Sequence, residues 1–377
     1  MNIDADRITR YFEELNGKIT LGIVDGCIDE VWQVVDARIS KNEYTVFNKM
    51  KQFAERIIRC GEGGMGNEVV RKRRSYGGFT ANTGNATARL GVDTVMLGMY
   101  GKERIDPVFK EFERMCTLIS FGEPALTNIY EFDDGKIMLP YVQEIVNFDW
   151  DMLVSALGMD KLRTIFSESD IIAIGYWSGT PAFDEIVTKI CENLLEGGKS
   201  RRMFFDFADI KKRDKKSLTD TLHTLRGLNC VIPMTLSLNE HEAADVFEHL
   251  GEAFAMESDQ VCETIENVRQ KTGLDEIVVH TPYFAAAASC MEGVAVVPQD
   301  YCSNPVRTTG AGDTFNGGYM SARLEDLSIA ERLAVANCAA GFFIRNGYAP
   351  DRVDIVNEVK RYITRVQQHY FPPSGVV

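Results

Sequence analysis

Short apolar runs alternate with longer helical patterns along most of this chain, and that alternation most narrows what it can fold into. Residues 171–176, 203–207, 230–236 and 276–280 are apolar without a polar alternation. Strands of that kind are covered on both faces, as in parallel sheets. Helical patterns fill the intervals, at 181–195, 215–225, 240–249 and 259–271. Strand, crossover helix and strand wind right-handed, so the chain is predicted to form an α/β fold around one mostly parallel sheet. Nearer the N-terminus, 19–28 and 31–39 read as strands, 82–90 as a helix carrying small residues, 92–99 as a strand and 107–116 as a helix. Further helices are expected at 314–324, 329–343 and 353–366.

Two regions break this rhythm. Residues 30–76 hold a strand, a polar segment at 47–59, a glycine-rich loop and the basic run Arg71-Lys72-Arg73-Arg74. Residues 126–142 read as a hairpin turning at Asp133-Asp134-Gly135, where Asp-Gly favours a tight turn. Both regions look antiparallel. No internal repeat or low-complexity linker divides the sequence, so a single domain over 1–377 is expected.

Composition removes several function classes. A net charge of −14 argues against a broad nucleic-acid surface, which needs clustered Lys and Arg. The 9 cysteines are scattered and include no C-x-x-C pair, which sets aside a zinc knuckle or redox dithiol and points to a reducing compartment. Residues 1–10 are too polar for a signal peptide, and no apolar run approaches the roughly 20 residues of a membrane helix. A cytoplasmic protein with neither membrane nor nucleic-acid partners is expected.

The chemistry concentrates at Thr308-Thr309-Gly310-Ala311-Gly312-Asp313, ahead of a helical pattern. Gly310 and Gly312 let backbone N–H groups approach an anion, and a helix N-terminus favours phosphate there. A carboxylate at Asp313 is a poor phosphate ligand but a suitable base for an attacking hydroxyl. Two other glycine patterns are near-misses. From Gly312 the chain almost spells a Walker A loop, but Gly318-Tyr319 replaces its Lys-Ser/Thr. Gly61-Glu62-Gly63-Gly64-Met65-Gly66 matches G-x-G-x-x-G, but lacks the preceding strand and following helix of a dinucleotide site.

A second glycine pair, Gly77-Gly78, leads to Asn82, whose amide would cap a helix or bond a hydroxyl. Asp25 and Asp29 are placed near the end of the first strand, where ligands bind in open α/β sheets. They read either as sugar-binding carboxylates or as exposed turn residues. Arg71 to Arg74 read as a solvated edge, or as the source of one Arg, tested at Arg74, that meets an acceptor carboxylate or phosphate.

The stretch Thr308 to Asp313 and the run from Gly77 through Asn82 to Leu90-Gly91 resemble the two signatures of the ribokinase-like (PfkB) carbohydrate and nucleoside kinases. The resemblance implies a three-layer α/β/α domain with a small β-sheet lid, made here by segments near 30–76 and 119–148. It implies ATP-dependent phosphorylation of a hydroxyl on a small sugar or sugar-like metabolite. Asp313 would be the general base, with the amides of Gly310, Ala311 and Gly312 as the anion hole. Asp29, Gly77, Gly78 and Asn82 would hold the acceptor. Asn239-Glu240-His241-Glu242 resembles the family's N-x-x-E, so Glu242 would serve Mg²⁺, through water, and Asn239 the nucleotide. Thr281, Thr309 and Asn337 match further nucleotide positions, although Asn337 would equally fit a plain helix face.

The sequence departs from the family pattern at three places. Gly84 replaces an Ala, Pro282 and Tyr283 stand near an expected Gly, and Arg307 replaces an Asp that helps bind a monovalent cation in relatives. A fixed guanidinium there implies weak or absent potassium activation. Pairing of exposed lid edges would give a homodimer. Two other functions remain open: a nucleoside kinase, and a kinase-like sugar-binding or regulatory protein that has lost catalysis.

Overall fold

The computed structural model describes residues 3–195, 201–254, 258–325 and 327–366. In chain order the strands are β1 Lys18–Gly22, β2 Cys27–Arg38, β3 Tyr44–Val46, β4 Val69–Gly77, β5 Asp93–Gly98, β6 Thr117–Ser120 and β7 Ala125–Phe132. They continue as β8 Gly135–Tyr141, β9 Ile171–Ile174, β10 Arg202–Asp206, β11 Met234–Asn239, β12 Glu276–His280, β13 Phe284–Ser289 and β14 Gly293–Pro298. A nine-stranded sheet runs β14-β13-β12-β11-β10-β9-β1-β5-β6. It is parallel from β12 to β6, and β13 and β14 close one edge as antiparallel strands.

The pleat sends alternate side chains of each central strand into different cores. Ile172, Ile174, Met203, Phe205, Ile277 and Val279 enter one, together with helices Phe183–Asn193, Lys215–Leu228 and Ser258–Thr272. Ile171, Ala173, Phe204 and Val278 enter the other, under helices Phe79–Arg89, Ala311–Ala322 and Ile329–Asn346. Burial on both faces is why these strands read as unbroken apolar runs. The expected three-layer α/β/α architecture is present. Among the described residues no disulfide links the cysteines, and no helix is long and apolar enough to cross a membrane.

Some boundaries differ from expectation. The strand expected at 19–28 stops at Gly22, and Ile23 takes a left-handed φ of 92°. The next turn is tightly packed: a Cβ on Gly26 would lie 1.9 Å from the Met99 carbonyl oxygen. β2 then runs unbroken through the gap expected between two strands. The strand expected at 230–236 begins only at Met234, because the preceding helix reaches Leu228 and Pro233 has no N–H for a strand interior. Residues Pro107–Arg114 wind as a 3₁₀ helix.

The two irregular regions form a second sheet, ordered β3-β2-β7-β8, with β4 also on β2. It is mixed, not antiparallel, since β2 and β7 pair in parallel. Each of these strands follows a parallel strand of the main sheet, β1 and β6, and leaves it by the same end. Helix Met50–Cys60 packs Phe53 on Phe47 and Phe132 of this sheet. Gly61 to Gly66 follows that helix and precedes β4, the reverse of a dinucleotide-binding order.

Candidate active site

Helix Ala311–Ala322 starts at Gly310, which caps it with a left-handed φ of 94°. A Cβ on Gly310 would come 3.3 Å from Cζ of Phe343 and 3.5 Å from Cγ of Asn82, and one on Gly312 would lie 3.1 Å from Cε1 of His280. The motif is therefore threaded between neighbours that leave little room for a side chain. Small residues bring helix Phe79–Arg89 close, since a Cβ on Gly317 would sit 2.6 Å from that of Ala86. This contact carries Asn82 to Asp313: Asn82 Nδ2 donates to Asp313 Oδ2 at 2.8 Å. Beside Asp313 opens a cavity of about 500 Å³, walled in part by Asp206, Asn239, Glu242, His280 and Thr281. It lies at the carboxyl ends of β10, β11 and β12, where ligands bind in such sheets.

Asp206, Glu242 and Asp313 meet at this cavity without a cation within ion-pair distance among the described residues. Asp206 ends β10, accepting from Asn316 Nδ2 at 2.7 Å and from the Ala208 N–H at 2.9 Å. Glu242 is buried and accepts from the Asn239 N–H at 3.0 Å. Burial, then repulsion from Asp206, pushes Glu242 up to about 9. Burial also raises Asp206, and burial with repulsion from Asp206 raises Asp313 well above the usual carboxylate range. The Asn82 amide and the charge of Arg307 act in the opposite sense on Asp313. Buried, uncompensated negative charge is costly, and a divalent cation relieves it. Among the described residues no group of three such side chains is close enough to grip a metal directly. The residues fit hydrated Mg²⁺, which keeps several waters and touches few carboxylates.

On the other side of Asp313 the two carboxylates expected together are separated. Asp25 is fully buried below the helix start, accepting from the Thr80 N–H at 3.1 Å and from the Thr80 hydroxyl. Burial pushes it up to about 6. Asp29 instead lies on β2, with Ser75 and Thr127 as cross-strand neighbours. Its carboxylate covers Gly77, where a Cβ would come 2.8 Å from Oδ2. Burial raises the Asp29 carboxyl, opposed by Lys136, Arg307 and Arg73. Gly78, with φ of 84°, caps a helix that starts at Phe79, three residues earlier than expected, so Asn82 is not the cap. Arg74 is committed to Asp106 at 2.6 and 2.9 Å and to Glu30 at 3.0 Å, so it does not reach an acceptor.

The expected nucleotide positions divide. Asn239 caps helix Glu240–His249, its Oδ1 accepting from the N–H groups of His241 and Glu242 at 2.9 and 3.0 Å, while it also lines the cavity. Thr281 lines it too, and its hydroxyl accepts from the N–H groups of Tyr283 and Phe284, closing the turn around Pro282. Thr309 is exposed, and its neighbour Thr308 is the residue on the cavity wall. Asn337 is absent from that wall: it is buried and donates to the carbonyls of Val297 and Pro298 at 3.3 and 3.0 Å, pinning its helix to β14.

Sequence reasoning missed Asp206, His280 and Tyr301, all on the cavity wall. For Asp206 a signal existed, because it is a carboxylate near the end of an apolar strand, the rule applied to Asp25. His280 lies tilted against Phe315 with ring centres 4.6 Å apart, burial lowers it to about 4, and its Nε2 has no hydrogen-bond partner among the described residues.

The sequence model of the prokaryotic ketohexokinase family matches residues 7–362. The chain is 27% identical to a ketohexokinase of Haloferax volcanii over 338 residues, 89% of this chain and 88% of that one. Among solved structures it resembles Arabidopsis thaliana ribokinase complexed with ribose and ATP, with a TM-score of 0.63 at 16% identity over 91% of this chain and 98% of the other. A Methanocaldococcus jannaschii nucleoside kinase matches with a TM-score of 0.57 at 16% identity, covering 92% and 98%. At such identities the structures speak for the fold alone, whereas the family match spans almost the whole chain: this protein belongs to the prokaryotic ketohexokinase family, within the ribokinase-like carbohydrate kinases.

Proposed function

We propose that this carbohydrate kinase transfers the γ-phosphoryl group of ATP to a hydroxyl of a small sugar, with a ketose as the acceptor class. The observation that carries the reading is Asp313 at the third position of a glycine-started helix, held by Asn82 beside a cavity that Asp206 and Glu242 also line. Asp313 takes the acceptor's hydroxyl proton, and Asn82 keeps its carboxylate aimed. The Ala311 amide donates to the Thr308 carbonyl at 3.0 Å, so the amides of Gly310 and Gly312 are the ones that face developing negative charge. Asp29 accepts from sugar hydroxyls beside Gly77 and Gly78, whose missing side chains make room for the carboxylates of Asp29 and Asp25. Asp206 and Glu242 hold Mg²⁺ through water, which when bound neutralises the nucleotide phosphates. Asn239 and Thr281 border the nucleotide. Arg307 supplies a fixed charge in place of a monovalent cation. The family and the Haloferax volcanii relative favour a ketose over a nucleoside, for which only fold-level likeness speaks.

The test is ADP release with Mg·ATP across ketohexoses, aldoses, pentoses and nucleosides. Turnover highest with a ketose is expected. A nucleoside preferred over every sugar would overturn the acceptor class. Sugar binding with no turnover on any acceptor would establish a catalytically impaired binding protein instead.

A further inference from the structure

Arg307 lies outside the residues that wall the cavity and acts on Asp313 from the turn before Gly310. Its Nε donates to the Thr309 carbonyl at 3.1 Å, and its guanidinium carbon lies 5.2 Å from the centre of the Phe343 ring. One hydrogen bond and one ring contact thus orient the plane of the group, on the turn that leads into Gly310. Neither terminal nitrogen has a hydrogen bond or ion pair among the described residues. Most other arginines near the cleft are spent: Arg74 on Asp106 and Glu30, Arg71 on Glu30. Arg307 also stands within electrostatic reach of both Asp313 and Asp29, the base and the acceptor carboxylate of the reading above. Between them is where the acceptor hydroxyl and the phosphoryl group must meet.

A guanidinium tethered at Nε and free at both outer nitrogens is a ready fork for two oxygens of one phosphoryl group. A carboxylate partner would have closed that fork, and the nearby acids do not. We propose that Arg307 binds the migrating phosphoryl group through its two terminal nitrogens. The inference rests on the kinase reading. In the transfer, the acceptor oxygen bonds to the γ-phosphorus as the bond to the β,γ-bridging oxygen breaks. The hydroxyl proton passes to Asp313 and ADP leaves. Arg307 keeps its protons throughout and supplies charge to the oxygens in flight.

The experiment compares the unaltered full-length chain with Arg307→Ala and Arg307→Lys. The alanine variant is expected to lose about 10²-fold in kcat, the scale of one removed oxyanion donor, with the sugar KM changed only a few-fold. Calorimetric affinity for Mg²⁺ with a non-hydrolysable ATP analogue carrying the third phosphate should weaken several-fold, while affinity for ADP stays. Lysine should recover part of kcat, and added guanidinium ion should restore part of the alanine variant's rate where tetramethylammonium does not. A deficit in Arg307→Ala that vanishes at high pH would overturn the proposal, because Arg307 would then only keep Asp313 ionised. Equal analogue affinity in the variant and the unaltered chain would also overturn it. Should the unaltered chain phosphorylate no sugar, the kinase reading falls, and the analogue-against-ADP comparison still decides the case of Arg307.

Discussion

The glycines at 61–66 and those at 310–312 look alike in sequence and stand in opposite surroundings. A Cβ on Gly61, Gly64 or Gly66 would meet nothing within 4 Å. A Cβ on Gly310 would crowd Phe343 and touch Asn82, and one on Gly312 would crowd His280. The first cluster lies between a helix and an edge of the second sheet, away from buried charge. The second opens a helix in contact with three raised carboxyls. Glycine spacing alone does not make an anion site; what matters is whether the glycines bring backbone amides against other functional groups.

The strongest way to break the comparison is Asp313→Asn. The asparagine keeps an oxygen for the Asn82 amide but cannot take a proton. Turnover should fall about 10²–10⁴-fold, with sugar and nucleotide binding nearly unchanged by calorimetry. Activity within a few-fold of the unaltered chain would return the 310–313 segment to a merely structural role.

Next comes Glu242→Gln, read as stability against pH without divalent cations. The folded carboxyl is raised from 4.5 to about 9, so its contribution is fully present below 4.5 and is lost as pH rises toward 9. In that window the slope attributable to one such group is at most about 1.4 kcal/mol per pH unit. Denaturant midpoints from pH 6 to pH 9 should therefore fall more steeply for the unaltered chain than for the variant, and Mg²⁺ should flatten the difference. Superimposed slopes would show that Glu242 carries no buried proton.

Gly310→Ala tests the glycine itself. Its φ of 94° lies where an L-residue is strained, at a cost of about 1–2 kcal/mol. Lower stability and lower kcat together are expected, because a shifted helix start misplaces Asp313. Gly64→Ala should change neither, within about 0.5 kcal/mol and the error of the assay. A marked activity loss in that variant would give the 61–66 loop a part in catalysis and erase the contrast.

Much of the framework was legible before any coordinates. Runs such as Ile171 to Ile174 and Met203 to Phe205 are buried on both faces, and that leaves an unmistakable pattern. The hairpin at Asp133-Asp134-Gly135 was equally plain, because turn chemistry is local. The break after Gly22 was not, since Ile23 carries no mark of its left-handed backbone. The parallel pairing of β2 with β7 was also hidden: it depends on two strands nearly a hundred residues apart leaving the main sheet at one end.

By itself the sequence determined the alternating architecture, the helix that opens at Gly310 and the place of a carboxyl at Asp313 in its first turn, because periodicity, backbone freedom and ionisation are properties of short segments. Only the tertiary structure decided which polar groups face one another. It buried Asp25 under Thr80 and left Asp29 on β2 over Gly77, turned Asn82 from helix capping to Asp313, and tied Asn337 to β14. It also brought Asp206 from a third strand to the same cavity. Charge acts through space and not along the chain, so the partner of a carboxyl is settled only when the sheet has set its strand ends side by side.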